Sequence, residues 1–509
     1  MAEAALPRPA EASPAELVKG LGLLDATMIV IGSMIGSGIF IVSADIARQV
    51  NSPGLLLMVW LVTGLMTMIG ALSYGELAAA MPRAGGQYVY LRESLGSLWG
   101  FLYGWSMLLV IQTATIAAVA IAFAKFTGVL FPWFSSSAWI WKLGSLGPYK
   151  LWFGELGPYN VGLNTQNLLA ILSIVFLTWV NTRGLRTGAM VQNVFTFAKT
   201  GALVGLIVLG FLFATGVAQS VNFTDFWRHA SLSATHPYLV GSEMMWIGTL
   251  TLIGVAMVGS LFAADAWNNV TFTAAEVKNP SRNLPVSLAL GTGIVTLIYV
   301  MASLSYLNVL PLTGHPTAGT ALERGIQFAA EDRVGTAVAE VIFGSSGASI
   351  MAIAIMISTF GCNNGLILAG ARIYYAMARD GLFFQRVGTV NQHHTPGTAL
   401  LVQCLWASAL CLSGTYSQLL DFIIFAVMVF YILTISGLFV LRWRRPELPR
   451  PYRAFGYPVL PALYLVLAVF IEVQLLRYKP QYTWPGLIIV ALGIPVYFLW
   501  RHTSSRAIS

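Results

Sequence analysis

The sequence predicts an all-α polytopic membrane protein of twelve transmembrane helices, the first ten forming a five-plus-five inverted repeat in which helices one and six are broken. Three observations carry that expectation. Of 509 residues, 57% are hydrophobic and only 9% are charged, against roughly 25% charged in a soluble globular protein, so the surface of a water-soluble fold cannot be covered. The charges punctuate long apolar runs, most of which reach the roughly 18 to 20 residues that cross a hydrocarbon core about 30 Å thick. Two of these runs, about 228 residues apart, are interrupted at mid-span by small and polar residues.

In chain order the expected helices cover 25–47, 54–80, 96–130, 166–182, 188–214, 248–276, 284–311, 339–378, 397–415, 419–443, 459–477 and 482–501. Helix one carries Gly32, Gly36 and Gly38 in GSMIGSGIF, a pattern that serves either close helix packing or a break. Helices two to four are uncharged through their cores except at their ends, helix five holds Lys199 about twelve residues in, and helix six holds Asp265 inside GSLFAADAWNN. Helices seven to ten follow as the counterparts of two to five, and eleven and twelve lie outside the repeat. The resulting organisation is a disordered cytoplasmic tail at 1–20, a first repeat at 21–214, an extracellular loop at 215–247, a second repeat at 248–443, helices eleven and twelve at 444–501 and a cytoplasmic tail at 502–509. The N-terminal segment lacks the apolar core of a cleavable signal peptide.

Basic residues orient the chain. With the N-terminus inside, 18 of 28 Lys and Arg fall on the inner side and 8 on the outer side, which places both termini in the cytoplasm of a multi-pass protein of the cell (inner) membrane. Topology therefore accounts for the net charge of +8, and no nucleic-acid partner is needed to explain it. Cys362, Cys404 and Cys411 all fall within expected helices, and no Cys/His metal spacing or HExxH occurs, so neither a disulfide framework nor a metal site is expected. No activated nucleophile or nucleotide-binding loop stands out, and no cofactor or covalent chemistry is expected.

The physics of a broken membrane helix is specific. Lipid cannot satisfy the backbone groups that a break releases, so a break survives only where it lines a polar cavity or meets a ligand. The resumed half-helix offers free N–H groups and a positive dipole to an anion, and the carbonyls before the break favour a cation. A zwitterionic α-amino acid presents both charges a few ångströms apart and suits such a site.

Six motifs in order, GSMIGSGIF, YGELAAAMPRAGGQYVYLRESLG, VQNVFTFAK, FAADAWNNVTFTAAEVKNPSRNLP, ARIYYAMARDGLFF and RRPELPRPYRAFGYP, resemble the amino acid, polyamine and organocation (APC) superfamily over about residues 20 to 480. Within it the resemblance is to the L-type amino acid transporter branch and its bacterial relatives. The resemblance implies the leucine-transporter-type fold. It also implies a substrate carboxylate on the amides of Gly36, Ser37 and Gly38, an amino group on the carbonyls of Ile35 and Phe262, and a substrate-lining position for Ala263. Phe262 is then either a thin gate over the substrate or a core aromatic. Trp267 and Asn268 match the family's Trp-Asn after the break, with Asn268 a ligand contact or a packing residue. Lys199 matches a helix-five lysine that resembles a built-in replacement for a bound sodium ion, or is a structural cation on helix-one carbonyls; either way, sodium coupling is disfavoured.

Asp265 departs from the pattern, because L-type carriers usually have glycine there. A carboxylate at mid-membrane costs roughly 2.5 to 3.5 kcal/mol on insertion scales and should face the cavity with a partner. That partner is expected to be Lys199 or the substrate's ammonium group, the alternatives being selection of a basic side chain, titration, or a solvated or capping role. Lys125 and Glu472 are expected as snorkelling or paired charges near outer helix ends. Glu76, Arg83, Arg92, Glu276, Lys278, Arg282, Arg372, Arg379 and Asp380 cluster at the inner face as solvated charges or as a gate of ion pairs. The run Arg442 to Arg453 is expected against anionic headgroups.

The tryptophan-rich loop 131–166 should form an outer hairpin or short helices at the membrane surface, and 316–338 an amphipathic loop that caps the cavity. In animal L-type carriers a cysteine of the first of these loops joins a glycoprotein partner. None is present here, so no disulfide-linked ancillary subunit is expected. The sequence thus reads as a secondary transporter of amino acids, neutral ones favoured, sodium-independent and working by alternating access. Proton-coupled uptake of cationic amino acids or polyamines is the alternative, and a membrane sensor or membrane-bound enzyme a remote one.

Overall fold

The computed structural model describes residues 17–151, 154–156, 159–240, 243–413 and 423–506. All twelve expected stretches are helical within these residues. Among the described residues, nine helices are long and apolar enough to cross a membrane, ten if the bent pair Leu23–Met34 and Gly38–Val50 counts as one crossing. Thr249–Ala263 and Gly397–Cys411 are apolar but shorter. Residues 1–16 of the expected N-terminal tail, 507–509 of the C-terminal one and 414–422 between helices nine and ten lie outside the described residues.

Both expected breaks are present. Helix one bends by 42° between Leu23–Met34 and Gly38–Val50. Helix six stops at Ala263, resumes as the short helix Asn269–Phe272 and ends in the 3-10 turn Ala274–Glu276. Helix three, Ser97 to Leu130, contains a π-helical segment, Met107–Ile111, a feature frequent beside functional sites. Helix two packs on seven, three on eight and four on nine.

Apolar side chains face outward on many of these helices, as a lipid-exposed surface requires: Leu172, Phe176 and Trp179 on helix four and Met190, Val194 and Phe197 on helix five are about half exposed or more. Polar groups are turned inward instead. Thr63 and Ser260 hydroxyls meet at 2.7 Å, and Asn181 donates to Asn364 at 2.9 Å, joining spans across the interior.

The far-face loops, opposite residues 17–22, add strands to an otherwise helical chain. Trp139–Leu146 pairs antiparallel with Tyr159–Asn164, Tyr149–Leu151 with Gly154–Leu156, and Thr235–Val240 with Glu243–Gly248. β-Branched and aromatic residues punctuated by Gly147-Pro148 suit a pleated ribbon better than a helix. Of the loop's four tryptophans, Trp133 and Trp141 are exposed, and Trp152 lies outside the described residues.

Segment 316–338 is more ordered than an amphipathic loop. Thr320 and Glu323 form a capping box on the short helix Ala321–Arg324. A 3-10 turn, Ala330–Asp332, leads into a helix, Val334–Phe343, that precedes helix eight, Gly347–Arg379. Arg48 at the end of helix one holds the segment through Asp332 at 2.5 Å and the Gln327 carbonyl at 2.9 Å. Lys125 is paired as expected, with Glu331 at 2.8 Å. Burial alone raises the Glu331 carboxyl, but Lys125 and Arg333 outweigh it and hold it at about 2.

Glu472 is a correction. It is only 6% exposed, and neither oxygen has a hydrogen-bond partner among the described residues. It faces the packed interior of helix eleven, with no snorkelling route.

Candidate functional site

The break in helix one frees five consecutive carbonyls, and side chains from three other helices accept the task of satisfying them. Lys199 Nζ of helix five donates to Gly32 O at 2.5 Å and Ile35 O at 2.6 Å. Cys362 Sγ of helix eight lies 3.1 Å from Ser33 O. Tyr299 of helix seven donates to Met34 O at 3.0 Å and also reaches Ala263 O at 3.1 Å, so one phenol ties the two breaks together. Ser358 Oγ lies 3.0 Å from Gly36 O and 3.3 Å from Ile35 O. Every released carbonyl from Gly32 to Gly36 is thereby partnered, as a dry interior demands.

The amides behave differently. Those of Gly36 and Gly38 have no acceptor among the described residues. They open with Ser37, Phe262, Ala263, Asp265 and Cys362 onto a small cavity of about 30 Å3 between the two breaks. Unpartnered N–H groups at the start of the resumed half-helix form a setting for an anion.

The two glycines differ in what surrounds them. A Cβ on Gly36 would meet only Cys362 Sγ, at 3.4 Å, whereas one on Gly38 would lie 2.6 Å from Ala263 Cβ and 3.0 Å from its Cα. Ala263 is therefore the packing partner of Gly38 as well as a cavity wall. Gly38→Ala is expected to lower stability by about 1 to 3 kcal/mol by forcing the half-helices apart, with Gly36→Ala near wild type. Thermal unfolding of the two purified variants measures the difference, and equal melting temperatures would contradict it.

Asp265 lies in the unwound stretch after Ala263, beside Ala266 at φ +65. Its partner is Tyr431 of helix ten, which donates to Oδ1 at 2.5 Å. The expected neutralisation by Lys199 does not occur, because that ammonium is committed to helix-one carbonyls. Asp265 lines the cavity between the breaks and two neighbouring ones, one bounded by Tyr103, Gln112 and Asn269, the other by Thr67, Trp267 and Tyr464.

Phe262 is half-buried on the wall of the central cavity, and its carbonyl already accepts from Asp265 N at 3.1 Å. The Ile35 carbonyl is likewise engaged, by Lys199 and Ser358. Asn268 does not cap the helix it precedes. It donates to Gln87 at 2.7 Å, and Gln87 reaches the Phe430 carbonyl at 3.2 Å and Thr434 at 3.0 Å. Trp267 packs edge-on against Tyr74 and tilted against Tyr431.

At the N-terminal face the expected charge clusters pair across one another. Glu276 and Arg372, 0% and 1% exposed, form a bidentate ion pair at 2.8 and 2.9 Å between the ends of helices six and eight. Arg92 pairs with Asp380, which also accepts from Tyr88 at 2.8 Å. Glu76 is taken by Arg442 at 2.6 Å and Arg450 at 3.2 Å, and Glu93 by Arg445 at 2.9 Å. Three arginines expected against headgroups are thus used within the protein.

Sequence reasoning missed Tyr299, Ser358 and Cys362. Their signal was faint: a lone hydroxyl in an apolar span reads as an ordinary helix residue, although the polar run Gly361-Cys362-Asn363-Asn364 at mid-span was available to mark helix eight.

Two discontinuous helices facing one another across a small cavity, with a lysine seated on the carbonyls of one break, define a carrier of the broken-helix type. The chain belongs to the amino acid permease family, which it matches over residues 21–498. It is 31% identical over 493 residues to the large neutral amino acids transporter small subunit 2 of Oryctolagus cuniculus, covering 96% of this chain and 82% of that protein. It is 28% identical to the human b(0,+)-type amino acid transporter 1, covering 97% and 90%, and 29% identical to the mouse Asc-type amino acid transporter 1, covering 95% and 82%.

Proposed function

We propose that this protein is a secondary transporter of neutral amino acids that works by alternating access without sodium. One observation carries the reading. At the helix-one break the carbonyls already hold a cation, the Lys199 ammonium, while the amides of Gly36 and Gly38 have no acceptor among the described residues. The substrate's α-carboxylate completes that half of the site, with Ser37 beside it. Its ammonium lies toward Asp265 and the Phe262 carbonyl, with Ala263 beneath, Phe262 as the gate and Asn268 shaping the floor. Because Lys199 needs no exchangeable ion, sodium has no vacant role.

The side chain of the substrate follows the cavity from Asp265 toward Tyr103, Met107 and Val427. Relatives named for large neutral amino acids support a neutral substrate. The cationic reading rests on the Asp265 carboxylate at the cavity wall, and a b(0,+)-type carrier is among the relatives. An opposite charge 4 Å away at an effective dielectric of about 20 gains about 4 kcal/mol before desolvation, enough to decide between lysine-like and leucine-like substrates. The Tyr431 hydrogen bond and the substrate's own ammonium both draw on that carboxylate, which favours the neutral class. Competition against labelled leucine uptake tests the choice: neutral amino acids should compete better than arginine or lysine, and Asp265→Asn should weaken all of them together. Arginine as the best competitor, with Asp265→Asn removing only that preference, would select the cationic class.

The same reading includes twelve crossings with both termini in the cytoplasm of the inner membrane, and transport rather than catalysis. Pairing of helices two with seven, three with eight and four with nine fits a two-fold relation between helices one to five and six to ten, and supports the division at 21–214 and 248–443. Independence from a disulfide-linked subunit is supported by the burial of all three cysteines.

A further inference from the structure

Away from the central cavity, on the N-terminal face, a groove of about 470 Å3 runs between the start of helix one and helix five. Its mouth holds Arg186 and Lys278, both exposed and neither ion-paired among the described residues. Asp25 lies in the groove, its oxygens accepting from Gly22 N at 2.9 Å and Asn193 Nδ2 at 2.7 Å, and forms no ion pair with either among the described residues. The wall is a stripe of Met190, Val194 and Phe197, spaced by four and three residues on one helix face and 61%, 61% and 57% exposed. From Arg186 to Phe197 the helix rises about 16 Å, close to half of a hydrocarbon core of roughly 30 Å.

We propose that this groove binds one anionic phospholipid, its headgroup on Arg186 and Lys278 and an acyl chain along the stripe. Charge complementarity at the mouth selects an anion, and an apolar wall one leaflet deep selects a lipid over a soluble ion. Lys278 follows the strand-like link in which the Gly20 and Leu21 amides donate to Glu276 O and Lys278 N donates to Leu21 O. The headgroup therefore joins the end of helix six to helix five across the entry of helix one, and strengthens closure of this face.

Native mass spectrometry of protein reconstituted in phosphatidylcholine with about 20 mol% phosphatidylglycerol tests the site. Wild type is expected to retain one phosphatidylglycerol more than Arg186→Gln/Lys278→Gln, and Arg379→Gln/Arg386→Gln, which removes an equal charge elsewhere on the face, is expected to match wild type. Val194→Trp fills the stripe while keeping both charges, and is expected to lose the lipid too. It also carries the test if the double variant misfolds. Equal retention in wild type and the Arg186/Lys278 variant overturns the proposal, as does loss of the bound lipid to inorganic phosphate or retention of phosphatidylcholine in its place.

Discussion

Lys199→Met is expected to abolish transport and to lower stability by about 3 to 5 kcal/mol. The ammonium donates to Gly32 O and Ile35 O, with Ser358 O at 3.4 Å, and is itself only 1% exposed. Removing it leaves buried carbonyls whose desolvation costs about 1 to 3 kcal/mol each, at a depth where lipid offers no substitute. The thioether fills the volume, so the loss is electrostatic rather than a cavity effect. Lys199→Arg should recover little, because a planar fork does not reproduce a point charge held by carbonyls from two helices. Thermal unfolding and proteoliposome uptake measure both losses together. A methionine variant with wild-type stability would mean that Tyr299, Ser358 and Cys362 suffice to hold the break.

Arg372→Met should cost about as much, and for a different reason. Its partner Glu276 is fully buried, and removing one member of a buried pair leaves an uncompensated charge at a cost of about 3 to 5 kcal/mol. The double variant Glu276→Leu/Arg372→Met removes both charges and is expected to regain most of that stability. Transport should not return with it, since the clamp between helices six and eight is absent and the N-terminal face stays open. Cys362 reports this state: it lines the central cavity and is 4% exposed, so a maleimide should label it faster in the double variant. Unchanged labelling with restored uptake would show that the ion pair is structural only.

The breaks in helices one and six were legible because glycine, serine and aspartate at mid-span have few uses in lipid, and their spacing along the chain made a pair. Lys199 was legible for the same reason, a charge too deep to snorkel. The partner of Asp265 was not. Tyr431 sits 166 residues away in a span whose aromatic content is ordinary, and only packing of helix ten against the break brings the phenol to the carboxylate. Gly38 shows a second limit: its pattern pointed to ligand access, while the contact with Ala263 adds a packing role that no local motif encodes. The far-face loops were legible as interfacial from their tryptophans, but strand pairing there depends on register between residues distant along the chain, from Leu146 with Tyr159 to Trp139 with Asn164. The ion pairs of the N-terminal face followed the same course, each charge visible and each partner set by the fold.

Counterflow in proteoliposomes tests the central claim most directly. Vesicles preloaded with unlabelled leucine should take up labelled leucine at the same rate with choline as with sodium outside, at fixed ionic strength. The Lys199 ammonium, already on the helix-one carbonyls, makes that the expected result. Absence of counterflow, or uptake only in sodium, would contradict it.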